Sequence, residues 1–186
     1  MLLPGFTPDQ LDDAQARYGL SFPPDLLEAL QEHRLDERYD WSVECPAVRE
    51  MLAWPFELLQ FDIEHGSWWP DWGERPAGKD ERDEVLRSAL ARAPKLIPLY
   101  GHRFLPETPG EPGNPVFSMH GFDTIYYGDD LAGWLKLEFG SGRYAELVRE
   151  PRYIPFWSDL VERYDEGDEL CARDTERGLG TEPSRE

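Results

Sequence analysis

Lysine and cysteine are scarce in this sequence: the only lysines are Lys79, Lys95 and Lys136, and the only cysteines are Cys45 and Cys171. The two cysteines lie far apart and form no Cys-x-x-Cys pair, which excludes a disulfide framework. No stretch approaches the roughly 20 apolar residues that a membrane span needs. The opening Met1-Leu2-Leu3-Pro4-Gly5-Phe6 has neither a basic segment nor an apolar core of the secretory kind. The expected location is therefore the cytoplasm. The signatures of common chemistry are also missing. There is no Gly-x-Ser-x-Gly elbow, phosphate loop, Gly-x-Gly-x-x-Gly or His-Glu-x-x-His. Ser118 and Cys45 have no sequence neighbours that mark a nucleophile.

Positive charge is the other scarcity. Nineteen Lys and Arg face 38 Asp and Glu, for a formal net charge of −19. Phosphate backbones are bound through Lys and Arg, so this balance argues against nucleic acid and anionic membrane surfaces as partners. It favours a basic protein, chiefly by speeding encounter. The same acidity also serves solubility alone, and the preference for arginine over lysine reads as codon bias. Apolar and aromatic material is plentiful, at 40% and 13% with seven tryptophans, which is too much for a disordered chain. A length of 186 residues fits one domain.

Local signals predict an α+β domain over 1–164. Thr7-Pro8-Asp9-Gln10 writes a helix start with a capping box and Pro at N1, and Gly19 is a natural stop. Ser21-Phe22-Pro23-Pro24-Asp25 opens a second helix with Leu26, Leu27 and Leu30 inward and His33 at its end. Val48, Met51 and Leu52 read as a short helix between breaks at Pro46 and Pro55. The run Phe56, Leu58, Leu59, Phe61, Ile63 fits helix or strand. A Trp- and Pro-dense loop covers His65 to Arg75. Asp80 to Ala93 reads as a helix burying Val85, Leu86, Ala89, Leu90 and Ala93. Strands are expected over 96–100, 115–119 and 123–127, with a long proline-rich loop from His102 to Asn114. Asp129 or Asp130 caps a helix whose face carries Leu131, Trp134, Leu135 and Phe139. A last helix starts near Pro155. Residues 165–186 read as an acidic, disordered tail. The expectation is a mostly antiparallel sheet of about four to six strands flanked by helices, two at the N-terminus and one after the sheet.

Several of these segments recur in a familiar order. Leu96-Ile97-Pro98-Leu99-Tyr100-Gly101-His102-Arg103-Phe104-Leu105-Pro106 is followed by Gly113-Asn114-Pro115-Val116-Phe117-Ser118. Asp123-Thr124-Ile125-Tyr126-Tyr127-Gly128 comes next, then Asp130-Leu131-Ala132 with Trp134-Leu135. With Gly19-Leu20-Ser21-Phe22-Pro23-Pro24-Asp25 before the second helix, the order resembles the SUKH superfamily over roughly Leu11 to Phe139. That family joins fungal regulators of cell-wall synthesis to bacterial immunity proteins of polymorphic toxin systems. The resemblance implies an α+β domain with no catalytic triad, metal or cofactor, which neutralises a toxin, often a nuclease, by binding it. A nuclease holds a polyanion and so presents a basic face, which an acidic inhibitor suits.

His65, His102 and His120 stand alone rather than at the short spacings of a zinc site, so no metal is expected. With 38 carboxylates, any pair chosen as glycosidase-like would be chance. Trp68, Trp69 and Trp72 form an unusual cluster for a polar loop. Exposed, with Asp71 on the rim, they would make a binding element; buried, they would plug the loop onto the sheet, the reading favoured for two of them. His102 and Arg103 at a strand end suit ligand contact or, more often, loop anchoring. Tyr126 and Tyr127 alternate across a strand, which sends one to the core and the other to solvent or a groove. The candidate partner-binding set is Trp68, Trp69, Asp71, Trp72, Tyr100, His102, Arg103, Asp123 and Tyr127. Besides an immunity protein, a regulatory scaffold and a small hydrolase remain open readings.

Overall fold

Capping chemistry starts the chain as its sequence implies. In the computed structural model, which describes residues 3–140 and 149–163, helix α1 runs Pro8–Tyr18. Thr7 Oγ1 accepts from the Gln10 N–H at 3.3 Å and Gln10 Oε1 accepts from the Thr7 N–H at 2.8 Å. Gly19 closes the helix in the left-handed region at φ +63°. Helix α2 follows over Pro24–Glu32 and buries Leu26 and Leu30.

The next segment departs from expectation. Neither proline breaks it: one helix, α3, runs Pro46–Glu64. Pro46 takes the first helical position, where its missing N–H would be unbonded anyway. Pro55 lies in the interior, but it is buried on the stripe formed with Val48, Leu59 and Ile63. Packing along that stripe carries the helix through a residue that normally costs ~3 kcal/mol there. The tryptophan segment forms a single 3-10 turn, Pro70–Trp72. Helix α4 then spans Lys79–Leu90 and buries Asp83, Leu86 and Ala89, while Val85 is only half-buried. Asp83 ties α4 to α3 by accepting from Gln60 Nε2 at 2.8 Å.

Four strands form an antiparallel meander in chain order: β1 Leu96–Tyr100, β2 Arg103–Pro106, β3 Val116–Ser118 and β4 Ile125–Gly128. Strand β2 corrects the expected loop over His102 to Asn114. Its Phe104 and Leu105 are both fully buried, on opposite faces, so the segment shows no alternation of polar and apolar residues. Pro98, in the middle of β1, stands opposite Phe104. Helix α5, Leu131–Phe139, is capped by Asp130, whose Oδ1 accepts from the Gly133 N–H at 2.7 Å. Phe139, expected inward, is 51% exposed, because the helix ends there beyond the edge of the core. A sixth helix, α6, is described over residues 157–163. The tail expected from 165 and Cys171 lie outside the described residues.

The sheet separates two apolar cores. On one face, Ile97, Leu99, Leu105 and Val116 meet α1, α2, Tyr39, Trp41 and the α5 residues Leu131 and Trp134. On the other, Leu96, Phe104 and Phe117 meet Leu59, Ile63, Leu86, Trp69, Trp157 and Leu160. Each large apolar side chain so buried contributes roughly 1.5–3 kcal/mol. The fold is α+β, with helices before the sheet and after it. No helix among the described residues is long and apolar enough to cross a membrane.

Candidate functional site

The candidate residues occupy two places, linked by the turn between β3 and β4. The first is the tryptophan turn. Trp69 is buried, with its ring near those of Phe122 and Phe156 at 6.2 and 6.5 Å between centroids. Trp72, half-buried, stacks on Phe156 at 6.5 Å with only 7° between the planes. Trp68 meets Trp72 edge-on at 5.3 Å and donates its indole N–H to the Gly73 carbonyl at 2.8 Å. Asp71 is exposed and accepts from Arg163 Nη2 at 2.6 Å, and the Arg163 guanidinium lies 4.5 Å from the Trp69 ring centroid. Trp69 is thus mainly a plug against α6 and the β3–β4 turn, while Asp71 and part of Trp72 reach the surface. Sequence reasoning missed Phe122, Phe156 and Arg163 as partners, because no local spacing joins them to residues 68–72.

That plug depends on a tight turn. Gly121 sits at φ +69°, and the Asp62 carboxylate of α3 accepts from the neighbouring Phe122 N–H at 2.8 Å. The turn is thereby held to α3 with Phe122 against the tryptophans.

The second place is the end of the sheet. Arg103, on β2, donates from Nη1 to Ser118 Oγ at 2.9 Å and from Nε to Glu138 Oε2 at 3.3 Å. Its guanidinium lies 3.6 Å from the Tyr127 ring centroid. Glu138 Oε2 also accepts from Trp134 Nε1 at 3.3 Å. Arginine, carboxylate and indole thus lock α5 onto the sheet, and this polar group belongs to the packing of the domain. Trp134 and Glu138 are four residues apart on one helix, a spacing that places both on one face. Tyr127 packs against the first core under Arg103, while Tyr126 stacks on Phe117 and donates to Ser158 Oγ at 2.6 Å. Both tyrosines are engaged because helices cover both faces of the sheet. Tyr100 is 39% exposed and meets Phe139 edge-on at 5.5 Å. Asp123 is exposed.

His102 faces His120 at 4.2 Å between ring centroids. Burial, then the adjacent Arg103 charge and His120, push the His102 pKa down from 6.5 to about 4. Folding therefore prefers the neutral ring. Between pH 6.5 and about 4 the unfolded chain binds a proton that the folded chain refuses, so stability falls as pH drops through that window. His102→Gln is expected to flatten this part of the stability profile, measured as urea midpoints at pH 7 and pH 5. An unchanged slope would place the acid sensitivity elsewhere.

Asp36 is buried and holds the 36–39 segment to the β1–β2 turn. Its carboxylate accepts from Arg38 Nη2 at 2.6 Å and from the Gly101 N–H at 3.4 Å, while the Tyr39 hydroxyl donates to the Gly101 carbonyl at 3.1 Å. Burial opposes ionisation of Asp36, but the Arg38 hydrogen bonds and charge outweigh it and leave the pKa below the ordinary carboxylate value. No group of three or more His, Cys, Asp or Glu among the described residues is placed to hold a metal.

Grooves mark the surface formed by the described residues. One of about 490 Å³ separates α2 from α5 and carries Asp25, Glu28, Glu32 and Asp130. One of about 540 Å³ lies beside Tyr100, Arg34 and Arg38. One of about 510 Å³ lies between the tryptophan turn and α4. No family model, curated protein or solved structure matches the chain.

Proposed function

We propose that this chain is a non-catalytic binding domain that captures a basic protein, as an immunity protein does when it neutralises a nuclease-like toxin in the cytoplasm. The SUKH-like order of its segments and the charge of its folded part support this reading. One observation carries most of the weight: the negative charge belongs to the domain. Residues 165–186 hold only eight of the 38 acidic residues and three of the 19 basic ones, leaving a net charge of −14 before them. Exposed carboxylates such as Glu28, Glu37, Glu57, Glu74, Asp80 and Asp123 have no cationic partner among the described residues. Charge left unneutralised over a surface accelerates capture of an oppositely charged partner.

The test is co-expression with a nuclease-like toxin domain, sought first among the neighbouring genes, followed by sizing of the mixture. The expected result is rescue of growth and a one-to-one complex burying roughly 1,200–2,000 Å². Its association rate should fall at least about tenfold between low and high salt. Absence of both rescue and complex would overturn the reading. Recovery of several weak partners in place of one stoichiometric protein would favour a regulatory scaffold.

A further inference from the structure

We infer that the groove between the tryptophan turn and α4 seats an arginine side chain of the basic partner, an inference that rests on the reading above. The groove is lined by Asp71, Trp72, Glu81, Glu84, Val85 and Arg92, among others. Glu81, Glu84, Val85 and Arg92 lie along one stripe of α4 and its C-terminal end, at helical spacing. The stripe buried on α3 is a different one, built on Asp83, Leu86 and Ala89. A half-buried valine is thus left on the solvent side, beside a half-buried indole, under three carboxylates and one cation.

An arginine suits this combination better than other side chains. Its guanidinium is flat and weakly hydrated, so it stacks on an indole while its fork of N–H groups meets carboxylates. The chain performs the same recognition internally at the same turn, where Arg163 lies over Trp69 and binds Asp71. Glu81 and Glu84 supply the corresponding carboxylates next to Trp72. Glu81 has no ion-pair partner among the described residues, and Glu84 has only Arg87 at 3.7 Å, with both side chains more than half exposed. The groove between α2 and α5 is a weaker candidate. There Asp25 accepts from the Gly113 N–H, Asp130 accepts from the Gly133 N–H, and Arg149 lies 3.7 Å from Asp130.

The test titrates the full chain with short oligoarginine and oligolysine peptides of equal length, followed by tryptophan fluorescence. Oligoarginine is expected to bind about tenfold more tightly than oligolysine. Charge reversal by Glu81→Lys with Glu84→Lys should weaken oligoarginine about tenfold or more, and Glu28→Lys with Glu32→Lys should change it by less than about twofold. All four positions are exposed, so each variant's fold can be verified by its urea midpoint before titration. Oligoarginine affinity unchanged by reversal at 81 and 84, or equal affinity for the two peptides, overturns the inference. If binding is lost only on reversal at 28 and 32, the groove assignment fails while the basic-partner reading stands. If the unmodified chain binds neither peptide, and no toxin complex forms, both fail.

Discussion

Trp134→Ala is expected to destabilise the domain by about 3–5 kcal/mol, a large share of the roughly 5–15 kcal/mol that holds a domain folded. Trp134 is fully buried where α5 meets the sheet, and it belongs to the core shared with α1 and α2. Truncation leaves a cavity the size of an indole between elements that cannot close over it, because β4 on one side and the N-terminal helices on the other are fixed by their own packing. It also takes the indole N–H from Glu138 Oε2, leaving that half-buried carboxylate to Arg103 alone. Trp134→Phe should cost less, since it keeps most of the volume and loses mainly the hydrogen bond. Urea unfolding followed by circular dichroism reads both. A loss under about 1 kcal/mol for the alanine variant would mean that α5 is not anchored as described.

Gly121→Ala is expected to cost about 2–4 kcal/mol although it adds a single methyl group. A Cβ at this position would lie 2.0 Å from Asp62 Oδ2 and 3.3 Å from the Leu58 carbonyl oxygen. The φ of +69° is also one that an alanine resists. Relief requires the Asp62 carboxylate to swing aside or the turn to shift from α3; either breaks the hydrogen bond from Phe122 to Asp62 and loosens Phe122 against Trp69 and Trp72. The loss of stability should therefore be accompanied by a change in near-ultraviolet circular dichroism from the tryptophan cluster. Gly101→Ala is the control, because it shares the positive φ but would meet nothing within 4 Å. Equal losses at the two glycines would show that conformation alone, rather than contact with α3, sets the cost.

How well the sequence foretold each part depended on the range of the interactions involved. The start and stop of α1 and the cap of α5 are decided by hydrogen bonds across three or four residues, and Thr7, Gly19 and the pair Asp129-Asp130 announce them. Residues 46–64 were ambiguous because the signal was mixed: Pro55 argues locally for a break, and only burial on the stripe with Val48, Leu59 and Ile63 overrides it. Strand β2 hid for a related reason. Phe104 and Leu105 face different cores, so the pattern that marks a half-exposed strand is absent, and the prolines after it suggest a loop. At the candidate site, the tryptophans themselves were conspicuous. Their partners Phe122, Phe156 and Arg163 come from segments 50 or more residues away, and folding alone brings them together. The same holds for the stripe of α4 that forms the groove, where Val85 had been expected in the core.

Pro98 has a further consequence for how this molecule meets others. Strand β1 pairs only with β2 among the described residues, so its outer side is an edge of the sheet, along which residues 96–99 are already buried. A sheet edge invites another extended chain to dock by backbone hydrogen bonding, in aggregation as well as in recognition. A proline in the middle of β1 offers no N–H and interrupts that edge. Contact by strand addition is thereby discouraged along β1, and selectivity is left to side chains presented by helices and turns.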